Sequence, residues 1–206
     1  MALGDPYISL PDFKDRMTIF DNVDDDRITD AIASASNDVN EYCGRQFNDS
    51  GSATARVFRS MRCVAIVDDF SALDTLVVKT GTTTGGFTNT LTINVDFLVG
   101  PDNGTVNEVP GSAYWRLETL LNARFPYLYR TGPNLQVTAR WGWSSVPSSV
   151  VDATYIRAAA IMRRRDTPEG VLGGFDGGNP VRVSMFNDPD LVRLLRPYRK
   201  HLPGRF

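Results

Sequence analysis

The hydrophobic pattern of this 206-residue chain changes its period twice, and that change limits the folds open to it. In "DNVDDDRITDAIASASNDVNEYCGRQF", Ile28, Ala31, Ile32, Ala35, Val39, Tyr42 and Cys43 recur every three or four residues, the spacing that gathers apolar side chains on one helix face. Asp24 to Asp26 offer a cap and an acidic first turn, and Gly44 a stop. The middle of this helix, "AIASASN", carries small side chains, so a second helix, in the same subunit or in a neighbour, can come close to its axis. From about 53 to 141 the period shortens towards two. "ATARVFRSMRCVAIVDDF", "DTLVVKTG", "NTLTINVDFLVG" and "NLQVTARW" are rich in Val, Thr, Ile and Phe, and "GTTTGGFTN" and "GPDNGTVNEVPGS" read as turn-rich loops. Four to six antiparallel strands are expected, interrupted by "AYWRLETLLNARF", which is either helical or extended.

The helical period returns at Pro147. Val151, Tyr155, Ala158, Ala159 and Met162 share a face, Arg163, Arg164 and Arg165 crowd the negative end of the helix dipole, and Thr167-Pro168 ends the helix. "EGVLGGFDGGNP" is expected to be a mobile loop and "VRVSMF" a strand. "NDPDLVRLLRPYRK" starts another helix, with Asp188 as cap, Pro189 first in, Leu191, Leu194, Leu195 and Tyr198 on one face, and an irregular end at Pro197. At the front, "SLPDFKDRM" gives a short helix capped by Ser9, with Pro11 in its first turn. The fold class is therefore α+β: a small helical bundle of N- and C-terminal helices carrying an inserted antiparallel β domain. The segments are 1–52, 53–141 and 142–206, the last completing the helical core.

Chemistry is sparse. The one histidine, His201, stands beside a proline-glycine tail, a poor place for the preorganised base of a Ser/His/Asp or Cys/His arrangement. An EF-hand loop begun at Asp21 would need an acceptor, a glycine and a glutamate where the sequence has Val23, Asp26 and Ile32. Two cysteines, Cys43 in a helix and Cys63 in a strand, make neither a zinc site nor a disulfide framework and are read as free buried thiols. Neither glycine-rich stretch fits a phosphate-binding fingerprint. No enzyme, metal or cofactor is expected, and no run is long enough to cross a membrane or act as a secretory signal. The net charge of −2 hides a gradient, −7 over residues 1–50, +1 over 51–150 and +4 over 151–206, which suits head-to-tail association or two differently charged partners. Trp141 and Trp143, two apart, are expected on one strand face as core or interface, at a strand-to-helix junction completed by Pro147.

Several of these segments together resemble the head-to-tail connector (adaptor) proteins of tailed bacteriophages. They are the short front helix with its amphipathic successor ending Tyr42-Cys43-Gly44-Arg45-Gln46-Phe47, then Gly142-Trp143 and Pro147 opening the long helix. Arg164-Arg165-Asp166-Thr167-Pro168-Glu169-Gly170 closes it, and Asp188-Pro189-Asp190 and Leu195-Arg196-Pro197-Tyr198-Arg199 follow. The likeness covers both ends and the order of elements, and the middle, about 53–135, matches only in kind. The resemblance implies a virion part made in the host cytoplasm: a homo-oligomeric ring, typically twelvefold, below the portal protein. Such a ring extends the channel for genomic DNA, which passes without sequence-specific binding, and offers stopper or tail-side proteins a platform. It further implies portal or partner contacts through Arg193, Arg196, Tyr198, Arg199, Lys200, Arg205 and Phe206, and subunit packing through Ala31, Ala35, Val39, Arg163, Arg164 and Arg165. The readings from other classes are a tail-completion protein, a monomeric binding module and a carboxylate-only hydrolase.

Overall fold

The computed structural model describes residues 4–82, 85–102, 111–120, 125, 132–164, 171–172, 181–182 and 188–200. The chain divides into two compact units, Leu3–Arg45 with Val146–Phe206, and Gln46–Ser145. The architecture is α+β, N- and C-terminal helices with an antiparallel β unit between them in sequence, as the change of period implies.

The β unit holds β1 (Ala53–Phe58), β2 (Ser60–Met61), β3 (Val64–Phe70), β4 (Val77–Thr82), β5 (Gly86–Leu91), β6 (Phe97–Gly100), β7 (Tyr114–Thr119) and β8 (Leu135–Arg140). They form two four-stranded antiparallel sheets, ordered β1-β8-β4-β5 and β2-β3-β7-β6. Both sheets feed one core. Val78, Leu135, Val137 and Ala139 come from the first, Ala65, Val67, Phe70, Phe97 and Leu117 from the second, and Trp141 joins them. In β8 the buried residues Leu135, Val137 and Ala139 alternate with half-buried or exposed ones, the period of a strand with one face inward.

Among the described residues eight strands replace the expected four to six. "ATARVFRSMRCVAIVDDF" breaks into three, because Arg59 leaves the ladder and Arg62 turns the chain at φ +43°. Cys63 therefore sits exposed in a turn, not buried in a strand, whereas Cys43 is a buried free thiol. Within "AYWRLETLLNARF", Tyr114–Thr119 is extended and pairs on both sides, with β3 and β6. Its Leu117 points into the core, so tertiary burial decides what local propensity leaves open.

The helical unit contains α1 (Leu10–Met17), α2 (Asp25–Cys43), α3 (Ser148–Arg164) and α4 (Pro189–Leu195). The Ser9 hydroxyl accepts the Asp12 N–H at 3.2 Å, and Thr18 ends α1 in the left-handed region. Asp24 stands at the cap of α2, yet its carboxylate makes no capping bond and instead pairs with Arg27 at 2.8 Å. Gly44, at φ +64°, ends α2. The Pro147 carbonyl accepts from Val150 and Val151 and so opens α3. The core gathers Ile8, Phe13, Ile28, Ile32, Ala35, Ala158 and Ala159, with Val151, Tyr155 and Met162 packed on it, the expected faces of α2 and α3. The glycine-rich stretch is not wholly loop: Val171–Leu172 forms β9, antiparallel to β10 (Val181–Arg182). The rest of that stretch and Thr167-Pro168 lie outside the described residues.

Candidate functional site

The end of α4 is built to present positive charge. Asp188 caps the helix by accepting from the N–H groups of Asp190 (3.0 Å) and Leu191 (3.4 Å), and Pro189 occupies a position where its missing N–H costs nothing. Leu191 and Leu195 are buried, which turns Arg193 and Arg196 outward. Pro197 sits inside a short 3-10 turn, Arg196–Tyr198, that tightens the helix end. Arg199 follows in extended conformation, its guanidinium 5.8 Å above the Tyr42 ring, and the Lys200 N–H donates to the Cys43 carbonyl at 2.8 Å. The last turn of α2 thereby fixes where the chain leaves the helix. Arg193, Arg196 and Arg199 are exposed and Lys200 half-buried, so four cations lie along one short segment. Arg193 makes a loose contact with Asp190 at 3.9 Å, with both side chains mostly exposed. Tyr198 is different: it is buried, and its ring belongs to the packing beneath the turn. Arg205 and Phe206 lie outside the described residues.

Ala31, Ala35 and Val39 are fully or almost fully buried. Ala35 shares a core cluster with Ala158 and Ala159, so the close approach that small side chains permit is made to α3 of the same chain. The outer flank of this helix pair is tied by Arg157 to Asp38 at 2.6 Å and by Arg16 of α1 to Asp152 at 2.9 Å. The Asp38–Arg157 pair sets an acidic residue of the front against a basic residue of the rear within the helical unit, whereas Arg16–Asp152 runs the other way. Arg163 is exposed near the end of α3; the Arg164 side chain and Arg165 lie outside the described residues.

Trp141 and Trp143 do not share a strand face. β8 ends at Arg140, and Gly142, at φ +99°, turns the chain between them. Trp141 enters the β core, with its indole N–H donating to the Thr54 carbonyl at 2.8 Å and its ring against Phe58 and Phe70. Trp143 packs on Phe47 at 5.1 Å and donates to Asp69 at 2.9 Å. Both are core residues of the β unit.

Sequence reasoning passed over Phe20 and Val23, which project from the α1–α2 connection with 89% and 86% of their surface exposed. The available signal was their place in "IFDNVDDD", apolar residues among acids and outside both helical periods. Among the described residues no group of three or more His, Cys, Asp or Glu side chains could hold a metal ion. A cleft of about 200 Å³ is lined by Tyr7, Ile8, Asp12, Asp15, Arg16 and Val151, with two carboxylates and an arginine in its lining. No helix among the described residues is long and apolar enough to cross a membrane.

The described residues thus comprise one helical unit and one unit of two antiparallel sheets. Residues 7–70 match the family described as "Phage gp6-like head-tail connector protein". That segment comprises α1 and α2 with the first three strands. No curated protein matches the chain. Among solved structures the fold is similar to a chain of "Neck of empty GTA particle computed with C6 symmetry", at 15% identity and TM-score 0.55 over 97% of this chain and 94% of that one. A chain of "Neck of native GTA particle computed with C12 symmetry" aligns over the whole of both chains at 14% identity and TM-score 0.54. A chain of "Virion of native gene transfer agent (GTA) particle" aligns at 13% identity and TM-score 0.56, over 100% of this chain and 96% of that one.

Proposed function

We propose that the chain is a structural part of a particle neck, a head-to-tail adaptor whose copies form a ring below the portal. The observation that carries this reading is the connector homology of residues 7–70, continued by a fold like that of neck chains along the whole length. Twelve copies are the natural number, since one of the similar necks was computed with twelvefold symmetry. In this reading the ring lengthens the DNA channel and supports stopper or tail-side proteins, and the protein works in the virion after synthesis in the host cytoplasm.

The mechanism is assembly. The exposed cations Arg193, Arg196 and Arg199, with Lys200, supply a surface that steers an acidic partner into register, and the portal is the partner proposed. Arg205 and Phe206 extend the same docking segment, with Arg163, Arg164 and Arg165 as contacts between neighbouring copies. Genomic DNA passes the ring without sequence-specific binding; a strongly basic wall would hold phosphates rather than release them. The test is electron microscopy of portals incubated with this protein. Ring density added on one face of each portal supports the reading, and portals left bare at saturating protein overturn it.

A further inference from the structure

We propose that neighbouring copies in the ring join through their β units, the outer strand β5 of one copy pairing antiparallel with β1 of the next. The inference rests on the ring reading and adds to it which surface makes the lateral contact.

Among the described residues β1 and β5 are the two outer strands of their sheet, each paired on one side only, β1 with β8 and β5 with β4. An outer strand presents unpaired N–H and C=O groups, and soluble proteins blunt such edges with shortness, proline, lysine or a covering segment. The second sheet does so. β2 is two residues long, and β6 has four and runs into Pro101. The first sheet does not. β1 and β5 each have six residues, and "GFTNTL" of β5 contains neither a charge nor a proline. Gly86, Thr88, Asn89 and Thr90 are exposed on β5, and Ala53, Thr54, Ala55 and Val57 on β1. The single charge on β1, Arg56, is turned to its own unit, stacked 4.7 Å from the Trp141 ring and paired with Asp68 at 2.5 Å. A register shift lies near the hairpin end of β5, and Asn89–Leu91 pair regularly beyond it.

Direction fits as well. Four strands paired antiparallel throughout leave β1 and β5 running opposite ways. Rotation about an axis along the strands preserves the direction of each, so β5 of one copy meets β1 of the next antiparallel, the pairing these strands already use. The contact is heterologous, one edge of each kind per copy, which is what a closed ring of identical subunits requires. Directly opposed residues in such a pair have Cβ atoms about 4.5–5.5 Å apart, close enough for a disulfide to trap.

Cysteine trapping in the assembled protein tests the contact. In a Cys63→Ser background, Ala55→Cys is combined in turn with Thr88→Cys, Asn89→Cys and Thr90→Cys, and each variant is oxidised after ring assembly, alone or on portals. The expected result is a ladder of covalent multimers for one pairing and none for any single-cysteine variant. Covalent dimers from a lone β5 cysteine would show β5 meeting β5 and overturn the proposal. Rings that form but give no ladder from any pairing would overturn it while leaving the ring reading intact. A parent protein that makes no ring, alone or on portals, would remove the ring reading and this contact with it.

Discussion

The indole N–H of Trp143 donates to Oδ2 of Asp69 at 2.9 Å, while the carbonyl oxygen of the same Asp69 accepts the Gly142 N–H at 2.6 Å. One residue of β3 thus holds both the turn that follows β8 and the side chain beyond it. Trp143 is 3% exposed and packed at a tilt against Phe47, so replacing it with Ala removes a large buried ring and leaves a buried carboxylate without its indole partner. The expected loss is roughly 3–5 kcal/mol of stability. Urea unfolding of Trp143→Ala checks this, and a midpoint within error of the parent would contradict it.

Gly142 is needed for its conformation and for its lack of a side chain. A Cβ at this position would lie 1.7 Å from the Asn48 carbonyl oxygen, on a backbone at φ +99°. Gly142→Ala should therefore cost more than about 2 kcal/mol, from strain and from displacing the Asn48 backbone. Thermal melting reads the effect, and an unchanged Tm would show that the turn relaxes freely.

Gly142 also marks where the sequence was readable and where it was not. The two helical stretches and their inward faces follow from the spacing of Ile28, Ile32, Ala35 and of Val151, Tyr155, Ala158, because a helix repeats long enough for the period to stand out. The β stretch was legible as β, but its strands are two to seven residues long, too short to fix their number from alternation. Trp141 and Trp143 look like one strand face until a positive φ separates them, and spacing cannot report a turn. The basic segment at Arg193–Lys200 could be read from composition, yet the inward turn of Tyr198 and the use of Ala35 against α3 depend on tertiary packing. Phe20 and Val23 were missed because exposure has no sequence signature beyond apolar residues out of period.

Asp49 offers a pH-dependent prediction. Two hydrogen bonds from the Arg140 guanidinium, one from Nε at 2.8 Å, hold its carboxyl below the ordinary value of 3.8 against the opposing effect of burial, and the Gly51 N–H at 2.9 Å adds a lesser lowering. A lowered pKa means that the carboxylate stabilises the fold above its unfolded pKa and loses that contribution as pH falls through the folded one. Asp49→Asn should therefore be less stable than the parent near neutrality, with the difference closing as pH falls from the ordinary carboxylate range through the lowered folded pKa. Denaturant melts across that range check the sign. A difference that widened on acidification would contradict it.

The docking role proposed for the basic segment can be tested separately from folding. Arg193, Arg196 and Arg199 are exposed, so charge reversal to Glu at all three should change stability by no more than about 1 kcal/mol while abolishing capture by portals. A chain ending after Lys200 keeps the backbone bond from Lys200 to Cys43 and should bind portals more weakly than the full chain. Sedimentation with portals gives both results. Undiminished co-sedimentation of the triple variant would assign portal docking to another surface.

Assembly itself is tested most directly by the mass of the purified protein in solution, measured by light scattering with and without portals. The account predicts a closed ring, of about twelve copies as the twelvefold neck suggests, formed alone or nucleated on the portal. A protein that stays monomeric at every concentration and leaves the portal's mass unchanged would contradict it.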